Sequence, residues 1–434
     1  MEMTPYKRSI KDYIVVDRQQ GLFRLNAEVY KDPYLFDLEM KKIFHEGWVY
    51  LAHESQLKVP NDYFTTYIGD TPIILVKTED ERIIGLINRC RHRGALVCRQ
   101  EKGNSKFFRC PYHGWTYSNY GKLVGIPDKE GYPEHFDIEN LGLIRIPKLV
   151  NYYGFIFGSL SSKAPEFEDY IGEAGKLLRL IALKFPGGIE VLKGIHKYGM
   201  QVNWKLAFEN AVDHYHAPFV HESYFEAVGH EPGKRIDLRS KDLSLYLGKG
   251  HLVDLMFRDY EVYEIDEKGI PWYLKDNNNL NEIEKKWAAK ITFHLGIFPN
   301  VIIFDVASPG PTIRVIRPVT VDYTEVYAYY YLPKNAPREY KERELRASLR
   351  FYGPAGMGTP DDVEVLKLAM EGYNVKDEKG KYNDLSRGTH RDFKDHEILE
   401  LVNAEMIGHG TDDTGYRGFY KWWAKVIFNE ELSI

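Results

Sequence analysis

The chain has 434 residues, 44% of them hydrophobic and 28% charged, with a formal net charge of −5. That length allows two or three domains and a core of ordinary size, and the mild acidity, without any Lys/Arg block, argues against a nucleic-acid partner. No apolar run approaches the ~18 residues that cross a bilayer, and the opening MEMTPYKRSIKDYIVVDRQQ lacks the apolar stretch and small-residue cleavage site of a secretory signal, so a cytoplasmic protein away from membranes is expected.

In chain order, a helix is predicted over Asp32–Phe44, with Asp32 as its cap and Pro33 in its first turn. From about Val49 to Leu160 the pattern becomes short β-runs broken by turns. TPIILVKTEDERIIGLINRC reads as a hairpin turning at Thr78–Glu81. FFRCPYHGWTYSNYGKLVGIP reads as another, turning at Ser118–Gly121, and YYGFIFGSL as a closing strand. Beyond Ser162 helices and strands mix. EDYIGEAGKLLRLIAL has helical spacing. ITFHLGIFPNVIIFDVA, TIRVIRPVTV and EVYAYYYLP read as strands of an antiparallel sheet. PREYKERELRASLRFY, DDVEVLKLAMEGY and TGYRGFYKWWAKVIF read as helices. The polar, Asn-rich stretch over 260–290 is expected at the surface. The fold class is therefore α+β: an N-terminal segment over 1–40, an all-β domain over 41–160 and an α+β domain over 161–434.

Three cysteines, Cys90, Cys98 and Cys110, are too few for a disulfide framework, and in a reducing compartment paired Cys and His are more often metal ligands. Cys90-x-His92 and Cys110-x2-His113 each supply one thiolate and one imidazole. A C2H2 zinc finger groups its cysteines and its histidines instead. The alternation suits a Rieske [2Fe–2S] centre, in which one iron takes both cysteines and the other both histidines. Gly94 and Gly114 let backbone N–H groups approach the inorganic sulfurs, Pro111 stiffens its loop, and Trp115 is placed to shield one face. A zinc knuckle is the competing reading. Cys98 has no histidine at matching spacing and is expected to be a small buried hydrophobe.

The second constellation is Asp213-x2-His216-x4-His221. Pro218 disfavours a regular helix through it, because its ring clashes with the His214 carbonyl. On an unbroken helix His216 and His221 lie about 140° apart; a kink or helix end after Tyr215 lets them converge. Asp213 and His216, three apart, share a face of a helix before that kink, which places Asp213 to hydrogen-bond the non-ligating nitrogen of His216. Two histidines and a carboxylate make the facial triad of non-haem Fe(II) oxygenases. A zincin is disfavoured because H-E-x-x-H is absent. His214 and His230 are read as structural.

Taken together, CRHRG, CPYHGW, NWKLAFEN (Asn203–Asn210), DHYHAPFVH, GPAGMGTPDD (Gly353–Asp362) and TGYRGFYKWW (Thr414–Trp423) resemble the large (α) subunit of the Rieske non-haem iron ring-hydroxylating oxygenases. The resemblance covers most of the chain. It implies a Rieske domain followed by a helix-grip catalytic domain on which residues 1–40 pack. It also implies one [2Fe–2S] cluster held by Cys90, His92, Cys110 and His113, and one mononuclear Fe(II) held by His216, His221 and Asp362, with Asp361 as the neighbouring alternative. The implied assembly is a homotrimer, α3 or α3β3 with a small β-subunit, in which Asp213 bridges His216 to His113 or His92 of the adjacent Rieske domain.

The implied reaction uses dioxygen and an aromatic substrate, giving a cis-dihydrodiol. A Rieske monooxygenase, hydroxylase or demethylase, and a non-catalytic Rieske electron carrier, are the alternatives. No G-x-G-x-x-G follows a strand, so electrons from NADH or NADPH are expected through a separate ferredoxin or flavin reductase. One departure stands out. Naphthalene-type members carry one more residue between the Glu-Asn pair and the bridging aspartate, so Asn210 is expected to fall short of the iron. The terephthalate-type branch shares the shorter spacing, which points to an aromatic acid; Arg314, on a catalytic-domain strand, either faces its carboxylate or is a structural arginine, since hydrocarbon-oxidising members carry arginine there too.

Overall fold

A computed structural model describes residues 9–229, 241–257, 274, 277–306 and 310–434. They form two compact units: Met40–Phe167, and the residues up to Glu39 together with Glu168–Ile434.

The first unit consists of small antiparallel sheets. Thr71–Lys77 and Ile83–Ile87 form the expected hairpin, closed by the Thr78 N–H on the Arg82 carbonyl at 2.8 Å. The second expected hairpin is a three-stranded sheet of Phe107–Arg109, Thr116–Ser118 and Leu123–Gly125. Gly121 turns it at φ +91°, a conformation a side chain would strain. The closing strand, Phe155–Ser159, pairs with Lys148–Tyr152 and Val49–His53. One core includes Ile74, Leu86, Tyr117, Trp115 and all three cysteines.

The second unit is organised by an eight-stranded antiparallel sheet. Its order is Ile189–Met200, Tyr323–Pro333, Thr312–Thr320, Val301–Asp305, Ile291–Ile297, Leu252–Phe257, Leu243–Tyr246 and Met406–His409. Directly opposed residues share a face. The pairs Asp254↔His294, His294↔Phe304 and Ile302↔Arg314 therefore set Asp254, His294, Phe304 and Arg314 in a polar–aromatic band on one face. The helix Trp204–Asn210 lies against that face. A Cβ at Gly296 would meet the Phe208 ring at 3.0 Å and Val212 at 3.2 Å, so glycine there permits the close approach. Gly418 does the same for the C-terminal helix Thr414–Phe428, which packs onto the Tyr246 ring.

Several expectations need correction. The first helix is α-helical only over Pro33–Glu39, then widens into a π-helical turn over Met40–His45; Asp32 does accept the Tyr34 N–H at 2.9 Å. EDYIGEAGKLLRLIAL is two helices, Phe167–Ile171 and Ala174–Leu183, broken around Gly172 at φ +45°. Of the stretch over 260–290, residues 258–273 and 275–276 lie outside the described residues, as does His230. Among the others, Asn277 is buried rather than at the surface, because its amide caps the carbonyls of Leu183 and Lys184 at 3.0 and 2.9 Å.

Helix Trp204–Asn210 is anchored by buried charge. Glu39, fully buried, accepts from Trp204 Nε1 at 2.8 Å, Lys205 Nζ at 2.6 Å and Trp423 Nε1 at 2.7 Å. Glu209 accepts from the Tyr30 and Tyr420 hydroxyls. Burial pushes the Glu209 carboxyl up from 4.5 to about 7, outweighing the hydroxyls and Lys205, which pull it down. The folded state therefore holds this proton between the unfolded and folded values, and stability from this group is lost as pH rises through that window, by about 3 kcal/mol. Glu209→Gln is expected to flatten that loss. Denaturant midpoints at pH 5 and pH 8 should differ less in the variant than in the wild type; an unchanged difference would show that Glu209 is ionised in the fold.

Candidate functional site

The two Cys-His loops are near-copies in their backbone bonding. Cys90 N–H donates to the Ala95 carbonyl and Cys110 N–H to the Trp115 carbonyl, both at 2.8 Å. Gly94 and Gly114 N–H return to the Cys90 and Cys110 carbonyls at 3.0 and 3.1 Å. Both glycines have positive φ, +77° and +74°, so each loop curls back and presents its Cys and His side by side.

The Cys90 and Cys110 thiols are buried and interact with each other; burial pushes the Cys110 thiol up. Tyr117 Oη stands 3.3 Å from Cys90 Sγ. The His92 and His113 rings lie 4.6 Å apart, and Trp115 stacks on His92 at 5.0 Å with a 9° interplanar angle. His92 Nδ1 is buried without a hydrogen-bond partner. A pair of neighbouring thiols and a pair of neighbouring imidazoles, one with an orphaned nitrogen, fit the donor set of a Rieske cluster. Cys98 belongs to the core, its backbone bracketed by the Asn88 amide.

The second constellation folds differently from the expected kinked helix. The helix ends at Asn210. Asp213–His216 is an irregular bend, not a helix, and Pro218 sits in the first turn of the single-turn helix Ala217–Val220. Its fixed φ suits that position, so it starts a helix rather than breaking one. His216 and His221 flank this turn. The Asp213 carboxylate accepts the Tyr215 N–H at 2.6 Å, which holds the bend, and lies 3.1 Å from His216 Nδ1. That bond puts the proton on Nδ1 and leaves Nε2 free to act as a donor atom.

Asp362 comes from the first turn of the helix Thr359–Gly372, with Pro360 beside it at the start. Its Oδ1 is 3.4 Å from His216 Nε2 and 3.2 Å from His221 Nε2. These three are among the groups whose ligand atoms lie within 4.8 Å of one another. Cis ligands on a metal with ~2.1 Å bonds are about 3 Å apart, so the donor set fits one ion with little movement. Asp361 points elsewhere: its carboxylate is 3.9 Å from His221 Nδ1 and its side chain is 39% exposed. Charge also draws the three groups together. Burial opposes the His216 proton, but Asp213 and Asp362 outweigh it and push the imidazole up to about 10. Burial likewise raises Asp362, but His216 and His221 hold its carboxyl well below the usual range.

Asn210 reaches this centre despite the short spacing. Its Nδ2 is 3.4 Å from Asp362 Oδ1 and 3.5 Å from His216 Nε2. The spacing alone has it falling short, but the helix ends at Asn210 itself and the chain folds back so that Asp362 and His216 meet its amide. Arg314 is buried between the Phe304 and Tyr352 rings, 4.8 and 4.9 Å from their centroids. Its Nη2 donates to Thr359 Oγ1 at 3.1 Å, and its Nε has no partner. His214, read as structural, has its Nδ1 3.1 Å from buried Asp254. Asp254, His294 and Glu39 were missed by sequence reasoning. LVDLMF and ITFHLGI each carry one ionisable residue in an otherwise mostly apolar run, which is the available signal of a buried polar site.

A Rieske [2Fe–2S] domain model matches residues 47–141, and a model described as ring hydroxylating alpha subunit (catalytic domain) matches residues 191–428. The chain is 35% identical to the large subunit of 2-halobenzoate 1,2-dioxygenase from Burkholderia cepacia, over 88% of this chain and 83% of that one. It is 34% identical to the α subunit of toluate 1,2-dioxygenase from Pseudomonas putida, over 96% and 94%. Naphthalene 1,2-dioxygenase from Rhodococcus sp., solved with indole bound, superposes with a TM-score of 0.85 at 28% identity, covering 94% of this chain and 95% of that one. Among the described residues no helix is long and apolar enough to cross a membrane. Fold, donor sets and relatives agree: the chain belongs to the ring-hydroxylating dioxygenase α-subunit family, with a Rieske [2Fe–2S] domain ahead of a catalytic domain of the kind that binds mononuclear iron.

Proposed function

We propose that the protein is the terminal oxygenase component that hydroxylates an aromatic carboxylic acid to a cis-dihydrodiol. Cys90, His92, Cys110 and His113 hold its cluster, and His216, His221 and Asp362 hold its iron. The observation that carries this is the convergence of two imidazole Nε2 atoms and one Asp362 oxygen in a chain that also pairs its Cys-His loops. An electron carrier has no use for the second set. When bound, the cluster supplies single electrons and the iron activates dioxygen beside the ring.

The chain's own residues set the geometry. Asp213 fixes the tautomer and orientation of His216. Asn210 offers an amide to the same centre. Arg314 supplies a buried cation with an unfilled donor, and an aromatic carboxylate satisfies it; the halobenzoate and toluate dioxygenases among the relatives are named for such acids. Electrons come from a separate reductase and ferredoxin, and the working assembly is a homotrimer, with or without a small β-subunit, in which Asp213 links the iron site to the Rieske domain of an adjacent subunit.

Iron and sulfide analysis with reduced-state EPR tests the metal assignment: the expected protein is red-brown with a Rieske signal and iron in excess of the cluster, and zinc without sulfide would sink it. Product analysis on a panel of aromatic acids and hydrocarbons, with a surrogate reductase, tests the substrate class. Arg314→Met is expected to raise KM for the preferred acid about 100-fold, the effect of losing a charged hydrogen bond in a buried site. Equal KM values in the two proteins would remove Arg314 from substrate recognition.

A further inference from the structure

A second polar cluster stands on the same sheet face as Arg314 and has no part in holding either metal. Asp254 is 1% exposed, and neither of its carboxylate oxygens has a hydrogen-bond partner. His214 Nδ1 approaches one of them to 3.1 Å, at an angle too poor for a hydrogen bond. A bare nitrogen so close would repel the carboxylate, so Nδ1 carries a proton. His294, opposite Asp254 in the sheet, lies 5.7 Å from His214 ring to ring.

His294 is also the one accessible residue in a strand whose other six residues are buried. The strand is central in the sheet, so that exposure belongs to a recess on the inner face. His214 and His216 are likewise part-exposed, with side chains 17% and 18% accessible. Phe304 separates His294 from Arg314, with its ring 4.6 Å from the His294 ring and 4.8 Å from the guanidinium carbon.

We propose that His294 and His214, backed by Asp254, form a subsite for a hydroxyl group on the aromatic acid, at the side of Phe304 away from Arg314. This rests on the aromatic-acid reading above. The Ala211 backbone acts on His294 as a hydrogen-bond acceptor, so one ring nitrogen is committed to its proton and the neutral ring offers the other as an acceptor. Burial, then the nearby His214 and Arg314, hold His294 well below its usual range, so it stays neutral. A hydroxyl donates its one proton to that nitrogen or to His214 Nε2 beside it; a methyl or halogen of similar size does neither. A site built to hydrogen-bond a hydroxyl discriminates strongly against the analogue that lacks it.

The test is calorimetric binding to the oxidised holoenzyme without reductant, so that no turnover occurs. The three monohydroxybenzoates are compared with the three toluates. At least one hydroxy isomer is expected to bind tenfold or more tightly than its methyl counterpart, and His294→Leu and Asp254→Asn are each expected to erase that difference. Equal affinity of the two series in the wild type overturns the subsite while leaving the aromatic-acid reading intact. Binding of neither series overturns both. Because His214, Asp254 and His294 also have the composition of a cation site, metal content is measured alongside; an extra metal ion that Asp254→Asn removes would overturn the subsite in favour of a structural cation.

Discussion

Asp362→Ala is expected to yield a red-brown protein that does not turn over. The variant leaves the Cys-His loops of Met40–Phe167 untouched, so the cluster and its EPR signal persist. It removes the carboxylate that, among the described residues, stands within 3.4 Å of both His216 Nε2 and His221 Nε2. Two neutral imidazoles bind Fe(II) weakly without an anionic partner, so iron should fall to the content of the cluster alone, and kcat by at least ~10^3-fold. Asp361→Ala is the control. Its carboxylate is part-exposed and 3.9 Å from the nearest histidine nitrogen, so iron content and most activity should survive. If Asp361→Ala lost the iron and Asp362→Ala kept it, the assignment of the carboxylate would be reversed. Loss of colour in Asp362→Ala would instead mean that the substitution unfolds the protein.

Asp213→Ala is expected to retain both the colour and the extra iron and still lose ~10^2-fold or more in turnover. The Asp213 oxygens are already committed: one accepts the Tyr215 N–H at 2.6 Å, and the other faces His216 Nδ1 at 3.1 Å. Removing them frees the bend that carries His216 and removes the acid proposed to link the two metal sites of adjacent subunits. A single-turnover experiment separates these roles. With the cluster reduced beforehand, a linking role requires its re-oxidation to slow in parallel with product formation. Re-oxidation at the wild-type rate without product would reduce Asp213 to an orienting residue for His216. Asp213→Asn keeps an oxygen to accept from Nδ1 but removes the charge, so recovery of turnover there would assign the function to orientation alone. Full activity in Asp213→Ala would exclude both.

Much of the site was legible before folding because its chemistry is concentrated in short motifs. Cys90-x-His92 and Cys110-x2-His113 needed only ligand type and order. Pro360-Asp361-Asp362 announced a helix start, and the structure places both acids in its first turn. Where the reading failed, local rules met a competing local arrangement. No regular helix runs through Pro218, as its ring requires, but proline is equally at home in the first turn of a helix and sits there, so Asp213 and His216 lie on a bend and not on a helix before a kink. Asn210 was judged too close in sequence to reach the iron site. Sequence spacing measures reach only if the path is known, and here the path turns at the residue in question.

The class of the protein is legible in the unfolded chain: two donor sets, the order of the two domains and no nucleotide-binding motif. These follow from residue types at short separations, where backbone geometry leaves few choices. The folded chain is needed to see which of two adjacent aspartates faces His216 and His221, that Glu39 anchors the helix leading to the site, and that Asp254, His294 and Arg314 share one face of the sheet. Those relations join residues separated by tens to hundreds of positions. They depend on strand register and on which helix face is buried, and both are settled by packing the whole chain at once.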